Sequence, residues 1–317
     1  MNVSVVCCTY NRSALLERTL RTVEQQQVPD AVTWEVVLVD NNSDDATPDV
    51  IERFAGRCPN VRSVRHEPQG LSRARNRGAE EANGELLCYI DDDVQLPADY
   101  VARAWAAYQD GGWDLAGGRS VPDYEIDPPK WLERLPRQKL NGPLGVHDRG
   151  EDDFILGPDD DFWPAGANML IVRNIVDQVG GFNPELSRYA KSLRGGGDNE
   201  FYRRARDAGF TVGYSGSCRL GHWAPATRLT RRYFIRWNII AGFTGMDEAL
   251  PADTVFWLGV PRYEWRALVA AFFGAVGGIV TRNRMLRAID LSNAFGRVAG
   301  YLTGRRTKEL ASPGPPD

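Results

Sequence analysis

Several features that would assign a chain quickly are missing from this one. No Gly-x-Gly-x-x-Gly follows the first strand-like run, which argues against a dinucleotide cofactor. The same turn, CCTYNRSALL, has no glycine-rich loop with a lysine, as a nucleotidyltransferase would need. The five cysteines are an odd number without a Cys-x-x-Cys pair, and Cys7, Cys8 and Cys88 lie in apolar runs. They read as small core residues of a protein kept in a reducing compartment. The N-terminus enters a strand directly, with no basic segment and apolar core of a secretory signal. The longest apolar stretch, residues 267–280, is 14 residues. A bilayer-spanning helix needs ~20, so this stretch is read as a buried or interfacial helix. Internal repeats and low-complexity tracts are also absent.

What is there suits a soluble globular protein: 317 residues, 43% hydrophobic and 25% charged. The net charge of −4 hides a gradient. Residues 219–308 hold 14 Lys and Arg against 5 Asp and Glu, whereas the part before them holds 24 against 35. A basic flank of that kind implies an anionic partner, such as a phosphorylated substrate or a lipid surface. The basic residues match no recognition-helix or finger spacing, so no nucleic acid is expected.

The first hundred residues repeat one rhythm. NVSVVCCTY, WEVVLVD, VRSVRH and ELLCYI read as strands, and the segments between them carry helical patterns. This spacing predicts an α/β fold with a mostly parallel, Rossmann-like sheet covered by helices on both faces. Ligands should bind at the strands' carboxyl ends. Polar residues gather there: Thr9, Tyr10, Asn11 and Arg12, then Asp40 to Asp45 including Asn42, then Asp91 to Asp93. A helix and a strand follow, then an aperiodic, proline-containing stretch at 121–165 that reads as a long loop or lid. DNEFYRRARDAG predicts a helix over 198–209 with Gly209 as its cap. From Leu229 onward the pattern is mostly helical, and the chain ends in a flexible tail.

Three consecutive aspartates after an apolar strand form either a solvated turn or a cation site. Asp91 and Asp93 are two apart and leave the strand on one side. At the ligand-binding edge of a parallel sheet, that pair favours a hard ion, Mg2+ or Mn2+. Asp198 and Glu200 open the predicted helix behind three glycines, 195–197. They serve either as helix-start carboxylates or as site groups, and the glycines allow the backbone to pass close to a ligand. Arg73 and Arg77 share a helix face while Arg75 points elsewhere. Each meets a diphosphate, cross-links acidic loops or is simply solvated. His222 beside Trp223 is either a satisfied core histidine or a metal or phosphate contact. Trp163 either stacks on a sugar ring or is buried.

In order and spacing, VSVVCCTYNR, VVLVDNNSDD, HEPQGLSRARNRG, YIDDDVQLP, GANMLIVR, GGFNPEL and GGDNEFYRRARDAGF resemble a family-2 glycosyltransferase of the GT-A type. The resemblance covers roughly residues 2–240. It implies inverting, non-processive transfer of a sugar from a UDP-, GDP- or dTDP-linked donor to an acceptor hydroxyl on a lipid-linked or cell-surface glycan. The alternative is a relative that only binds a sugar nucleotide or glycan. By the same resemblance Asp198 is the catalytic base. Thr9, Tyr10, Asn11, Arg12, Asp40, Asn42, Arg73, Arg75, Asp91 and Asp92 face the donor nucleotide. Asp93, Asp91 and His222 hold Mn2+ or Mg2+. Trp163, Asn168, Glu200 and Trp223 meet the acceptor. The Gln-x-x-Arg-Trp of processive members is replaced by Tyr233 to Trp237, YFIRW. The implied organisation is a catalytic domain at 1–240, with a nucleotide-binding half at 1–97 and an acceptor half at 98–240. A helical extension follows at 241–304 and a tail at 305–317. The extension suits peripheral contact with a membrane or a homodimer, and the expected location is the cytoplasm, at the inner face of a membrane.

Overall fold

The computed structural model describes residues 1–158, 160, 165–186, 197–244, 253–278 and 283–303. It divides into two compact units, Met1–Asp123 with Leu144–Trp223, and Tyr124–Pro143 with the chain from Ala224 onward. The division expected at 240 therefore falls inside a helix of the second unit, and the change of unit comes after Trp223.

The first unit opens with β1 (Val3–Thr9), α1 (Ser13–Glu24), β2 (Trp34–Asp40), α2 (Thr47–Ala55), β3 (Val61–Arg65), α3 (Leu71–Glu81) and β4 (Leu86–Ile90). Along the chain there follow β5 (Val94–Gln95), α4 (Tyr100–Gly111), β6 (Leu115–Tyr124), the short α5 (Asn141–Leu144), which belongs to the second unit up to Pro143, β7 (Phe154–Ile155), β8 (Asn168–Val172), α6 (Arg173–Val179), α7 (Gly197–Asp207) and β9 (Val212–Ala224). Among the described residues the main sheet runs β3-β2-β1-β4-β8-β6-β9-β5, with β7 beside β9. β3, β2, β1 and β4 are parallel, as the continuous apolar runs of β1, β2 and β4 predict, while β8 is antiparallel to both β4 and β6. Leu16, Leu20 and Val23 of α1 pack on one face of the sheet with α2 and α4. On the opposite face lie α3, α6 and α7. There α3 comes close because of Gly78: a Cβ on it would sit 2.3 Å from Val6 Cγ1.

Register carries the polar loops to one edge. Thr9 pairs with Asp40, and Cys7 with Ile90, so the turns after β1, β2 and β4 end side by side. At the other end of the strands, buried Glu35 ties three segments together. It accepts from Ser4 Oγ at 2.7 Å, Asn83 N at 2.6 Å and Arg62 Nε at 2.9 Å. Burial alone would raise its pKa, but these donors outweigh burial and hold it below the ordinary glutamate range. A depressed carboxyl stabilises the fold above the unfolded glutamate pKa of ~4.3 and loses that contribution as pH falls through the folded value. Glu35→Ala is expected to lower the unfolding free energy at pH 7 by about 2 kcal/mol. In urea melts the difference from wild type should shrink as the pH is taken below that range.

The stretch 121–165, expected as a loop or lid, is partly ordered: β6 runs to Tyr124, and Ser120 and His147 form an isolated antiparallel bridge. The stretch holds two acidic runs, at 151–153 and 159–161. Asp153 of the first accepts from Ser215 Oγ, Ser217 N and Ser217 Oγ, each at 2.9 Å, and so pins the stretch to β9. Asp159 and Asp161 of the second lie outside the described residues.

The second unit holds α8 (Arg231–Thr244), β10 (Phe256–Trp257), β11 (Val260–Pro261), α9 (Arg262–Gly278) and α10 (Arg284–Leu302). Helices α8 and α10 cross at a reciprocal pair of glycines. A Cβ on Gly242 would lie 2.1 Å from Asn293 O, and one on Gly296 would lie 2.1 Å from Ile239 O. The FWLGV segment, 256–260, lies within the expected helical extension but is instead a β-hairpin. Leu258 at φ 51° and Gly259 at φ 76° make the two-residue left-handed turn that joins antiparallel strands. The tail from 304 lies outside the described residues.

Candidate functional site

The three aspartates after β4 divide their work. Asp92 turns inward and is 3% exposed. It accepts from Thr9 Oγ1 at 2.7 Å and Arg12 Nη1 at 2.5 Å, while its carbonyl accepts from Thr19 Oγ1 at 2.9 Å. Arg12 also reaches Asp93 Oδ2 at 3.2 Å. Burial pushes the Asp92 carboxyl up, against the pull of Arg12. Burial likewise opposes the Arg12 charge, but Asp92 and Asp93 outweigh it and hold the guanidinium above its usual range. Asp92, expected to meet the nucleotide, here anchors Thr9 and Arg12 from inside.

Asp91, Asp93 and His222 converge, with one ligand atom from each lying within 4.8 Å of the others. Strand pairing explains the meeting. Val94 on β5 is opposite His222 on β9, which brings the histidine against the aspartate turn. His222 Nε2 lies 3.5 Å from Asp93 Oδ1. Asp93 Oδ1 and His222 Nδ1 are buried and have no hydrogen-bond partner among the described residues. Gly145, at φ 65°, passes the imidazole so closely that a Cβ there would be 2.9 Å from His222 Cε1. A buried carboxylate oxygen without a donor is costly unless a cation serves it. Two carboxylates and an imidazole form a hard-to-intermediate donor set that suits Mn2+ and also accepts Mg2+. The residues present therefore fit the ion.

Asp198 is half-buried in the first turn of α7. Its Oδ2 accepts from Gly166 N at 2.9 Å and its Oδ1 from Asn199 N at 3.2 Å. Buried Arg75 donates to Gly166 O at 3.1 Å and lies 3.7 Å from Asp91 Oδ1. Gly166 is the contact point between them: a Cβ on it would lie 2.2 Å from Arg75 Nη2 and 2.8 Å from Asp198 Oδ2. The aspartate turn and the helix start are thereby brought together through one glycine and one arginine. His147, not singled out from sequence, is buried close enough to Asp198 and His222 to feel both charges. Burial pushes its pKa down to about 4, with Asp198 opposing and His222 assisting. It is neutral at pH 7 and does not cancel the Asp198 charge. Lying in an aperiodic stretch, it gave no spacing signal.

The other expected site residues fall into two groups. Asp40 is buried at the sheet edge, accepting from Ser43 N at 2.9 Å. Asn11 and Asn42 have positive φ, 51° and 67°, and their side chains bond Asp44 and Arg65 respectively. Tyr10 and Arg73 are half-buried near the same edge. Asn41, which sequence reasoning passed over, joins this edge to the entry of α3. It donates to the carbonyls of His66 and Pro68 and accepts from Gly70 N at 2.7 Å. Trp223 is half-buried, with the Arg18 guanidinium 3.5 Å over its ring. Two residues expected on the acceptor side are engaged within the fold. Asn168 is fully buried and bonded to Tyr100, Arg119 and Cys218, so it holds strands together. Glu200 is engaged by Arg204, whose guanidinium also binds the carbonyls that end α6. Trp163 lies outside the described residues.

Residues 4–170 match the family model for glycosyl transferase family 2. The chain is similar to the glycosyltransferase AglE of Haloferax volcanii, 25% identical over 214 residues that cover 67% of this chain and 64% of that one. It is also similar to the glucosyl-dolichyl phosphate glucuronosyltransferase of the same organism, 27% identical over 59% of this chain and 58% of the relative. The chain thus spans less than two thirds of the length of either relative. Among solved structures, the mannosyltransferase PcManGT of Pyrobaculum calidifontis, in complex with GDP-Man and Mn2+, is similar in fold. The TM-score is 0.62 at 18% identity, covering 96% of this chain and 88% of that one.

Proposed function

The chain belongs to glycosyl transferase family 2, and on that premise we propose that it transfers a sugar, with inversion, from a nucleotide-diphosphate donor to an acceptor hydroxyl. The observation that carries this reading is the convergence of Asp91, Asp93 and His222, two of them with an unpartnered buried atom, at the carboxyl edge of a parallel sheet. Asp91, Asp93 and His222 would hold Mn2+ or Mg2+. Bound there, the ion would neutralise charge on the leaving diphosphate.

The chain's own groups do the rest. Asp198, oriented by the Gly166 and Asn199 amides, keeps lone pairs free for an incoming hydroxyl. It takes the hydroxyl proton as the acceptor oxygen bonds to the anomeric carbon, and the bond to the diphosphate breaks with its electron pair leaving on the nucleotide. Attack opposite the leaving group inverts the anomeric centre. Residues 1–97 form the donor half, with Asp40, Asn11, Asn42, Tyr10 and Arg73 lining its edge, and the acceptor half begins at residue 98. Trp223 is the aromatic surface for an acceptor ring. The acceptor itself is a lipid-linked or cell-surface glycan, in keeping with a relative named for a glucosyl-dolichyl phosphate. Five free cysteines fit the reducing cytoplasm.

The test is a screen of UDP-, GDP- and dTDP-sugars for thermal stabilisation and turnover, each with and without Mn2+. One donor should raise the melting temperature only when metal is present. If none does so, the reading fails.

A further inference from the structure

The second unit carries exposed apolar surface that the chemistry above does not use. Eleven of the fifteen strongly exposed large apolar side chains among the described residues lie between 255 and 302. Soluble proteins do not gather such residues without a partner surface. They lie in two adjoining places. One is the β10–β11 hairpin, whose turn holds out Trp257 at 61% and Leu258 at 70% exposure. The other is the outer side of α9. Its exposed positions 262, 266, 269, 273 and 276 recur at helical spacing and form one stripe. That stripe begins with Arg262 and Arg266 and continues as Val269, Phe273 and Val276. The hairpin and helix are joined: Arg262 N donates to Val255 O at 2.8 Å, and Trp265 Nε1 to Trp257 O at 2.9 Å. Beside the stripe, an apolar groove of about 680 Å³ is lined by Phe272, Phe273 and Phe295 among others.

Charge identifies the occupant. Arg262, Arg266, Arg284 and Arg287 are exposed, and Arg287 lies alongside α9 at Gly274. The acids of the two long helices are already engaged, Glu264 by Arg297 and Asp290 by Lys139, each at 2.7 Å. A second copy meeting this face about a two-fold axis would bring arginines against arginines across an apolar contact. A bilayer with anionic headgroups complements both parts, taking the aromatic and aliphatic side chains at its acyl boundary and the guanidiniums among its phosphates. No helix among the described residues is long and apolar enough to cross a membrane. We propose that the hairpin and the outer stripe of α9 form a surface that docks in the plane of an anionic phospholipid leaflet. This assignment does not depend on which sugar the enzyme transfers, or on whether it transfers one.

The test uses the full chain and vesicles of phosphatidylcholine, pure or mixed in equal parts with phosphatidylglycerol. The chain should co-sediment with the mixed vesicles at low salt, and about tenfold less with pure phosphatidylcholine. Trp257→Ser with Phe273→Ser should abolish binding to the mixed vesicles. Arg262→Gln with Arg266→Gln should remove the preference for the anionic lipid. Both double variants change exposed side chains, and unaltered circular dichroism and melting temperature would confirm that they fold. The proposal is overturned if the wild-type chain ignores mixed vesicles at low salt. It is equally overturned if the Trp257/Phe273 variant binds like wild type, or if that variant dissolves a dimer seen by sedimentation velocity.

Discussion

Asp198→Asn is expected to bind donor within about twofold of wild type and to transfer sugar about a thousandfold more slowly, in the range that removal of a general base produces. The substitution is nearly isosteric, and an amide oxygen can still accept from Gly166 N, which Asp198 Oδ2 does at 2.9 Å. The contact at Gly166, and with it the placement of Arg75 beside Asp91, should therefore survive. What disappears is a group able to take the acceptor proton. Single-turnover transfer with saturating donor separates the two effects, because binding enters only through the occupancy. A variant that keeps more than about a tenth of the rate has lost only ~1.4 kcal/mol of barrier stabilisation, too little for a base.

Asp93→Ala tests the other half of the site. It removes the buried Oδ1 that no donor serves, and Mn2+-dependent nucleotide affinity should fall about a hundredfold, the upper range for losing even a supporting residue of a metal site. The fold should tolerate the change. Arg12 keeps Asp92 at 2.5 Å, and the backbone bond from Trp223 N to the carbonyl at position 93, 2.9 Å, needs no side chain. Calorimetric titration with nucleoside diphosphate, with and without Mn2+, is the measurement. Equal affinity for wild type and variant in the presence of Mn2+ would remove Asp93 from the ligand set.

The parallel half of the sheet was legible because β1, β2 and β4 are continuous apolar runs, and the polar turns after them could only lie at one edge. The aspartate triplet was legible in position but not in division. Alternation along the chain separates Asp92 from its neighbours, yet only the side chains of Thr9 and Arg12, eighty residues earlier, reveal that the inward one is anchored. Asn168 and Glu200 are both polar residues near site motifs, and their partners differ in reach. Asn168 bonds Tyr100 and Cys218 on distant elements, which no local pattern marks, whereas Glu200 pairs with Arg204 one turn further along α7, a spacing the sequence does offer. His147 and Gly166 were invisible, since neither periodicity nor spacing marks a residue whose importance is a close approach. The β10–β11 hairpin was missed because five residues of it look equally apolar as helix or strand. Only the left-handed pair Leu258-Gly259 distinguishes them.

The paired glycines of α8 and α10 have a mechanical consequence. At Gly242 and Gly296 each helix presses bare backbone against the carbonyls of the other. Neither helix can roll or slide without driving a side chain of the adjacent turn into that contact. The crossing works as a pin, because at that point no side chain lies between the two backbones to repack.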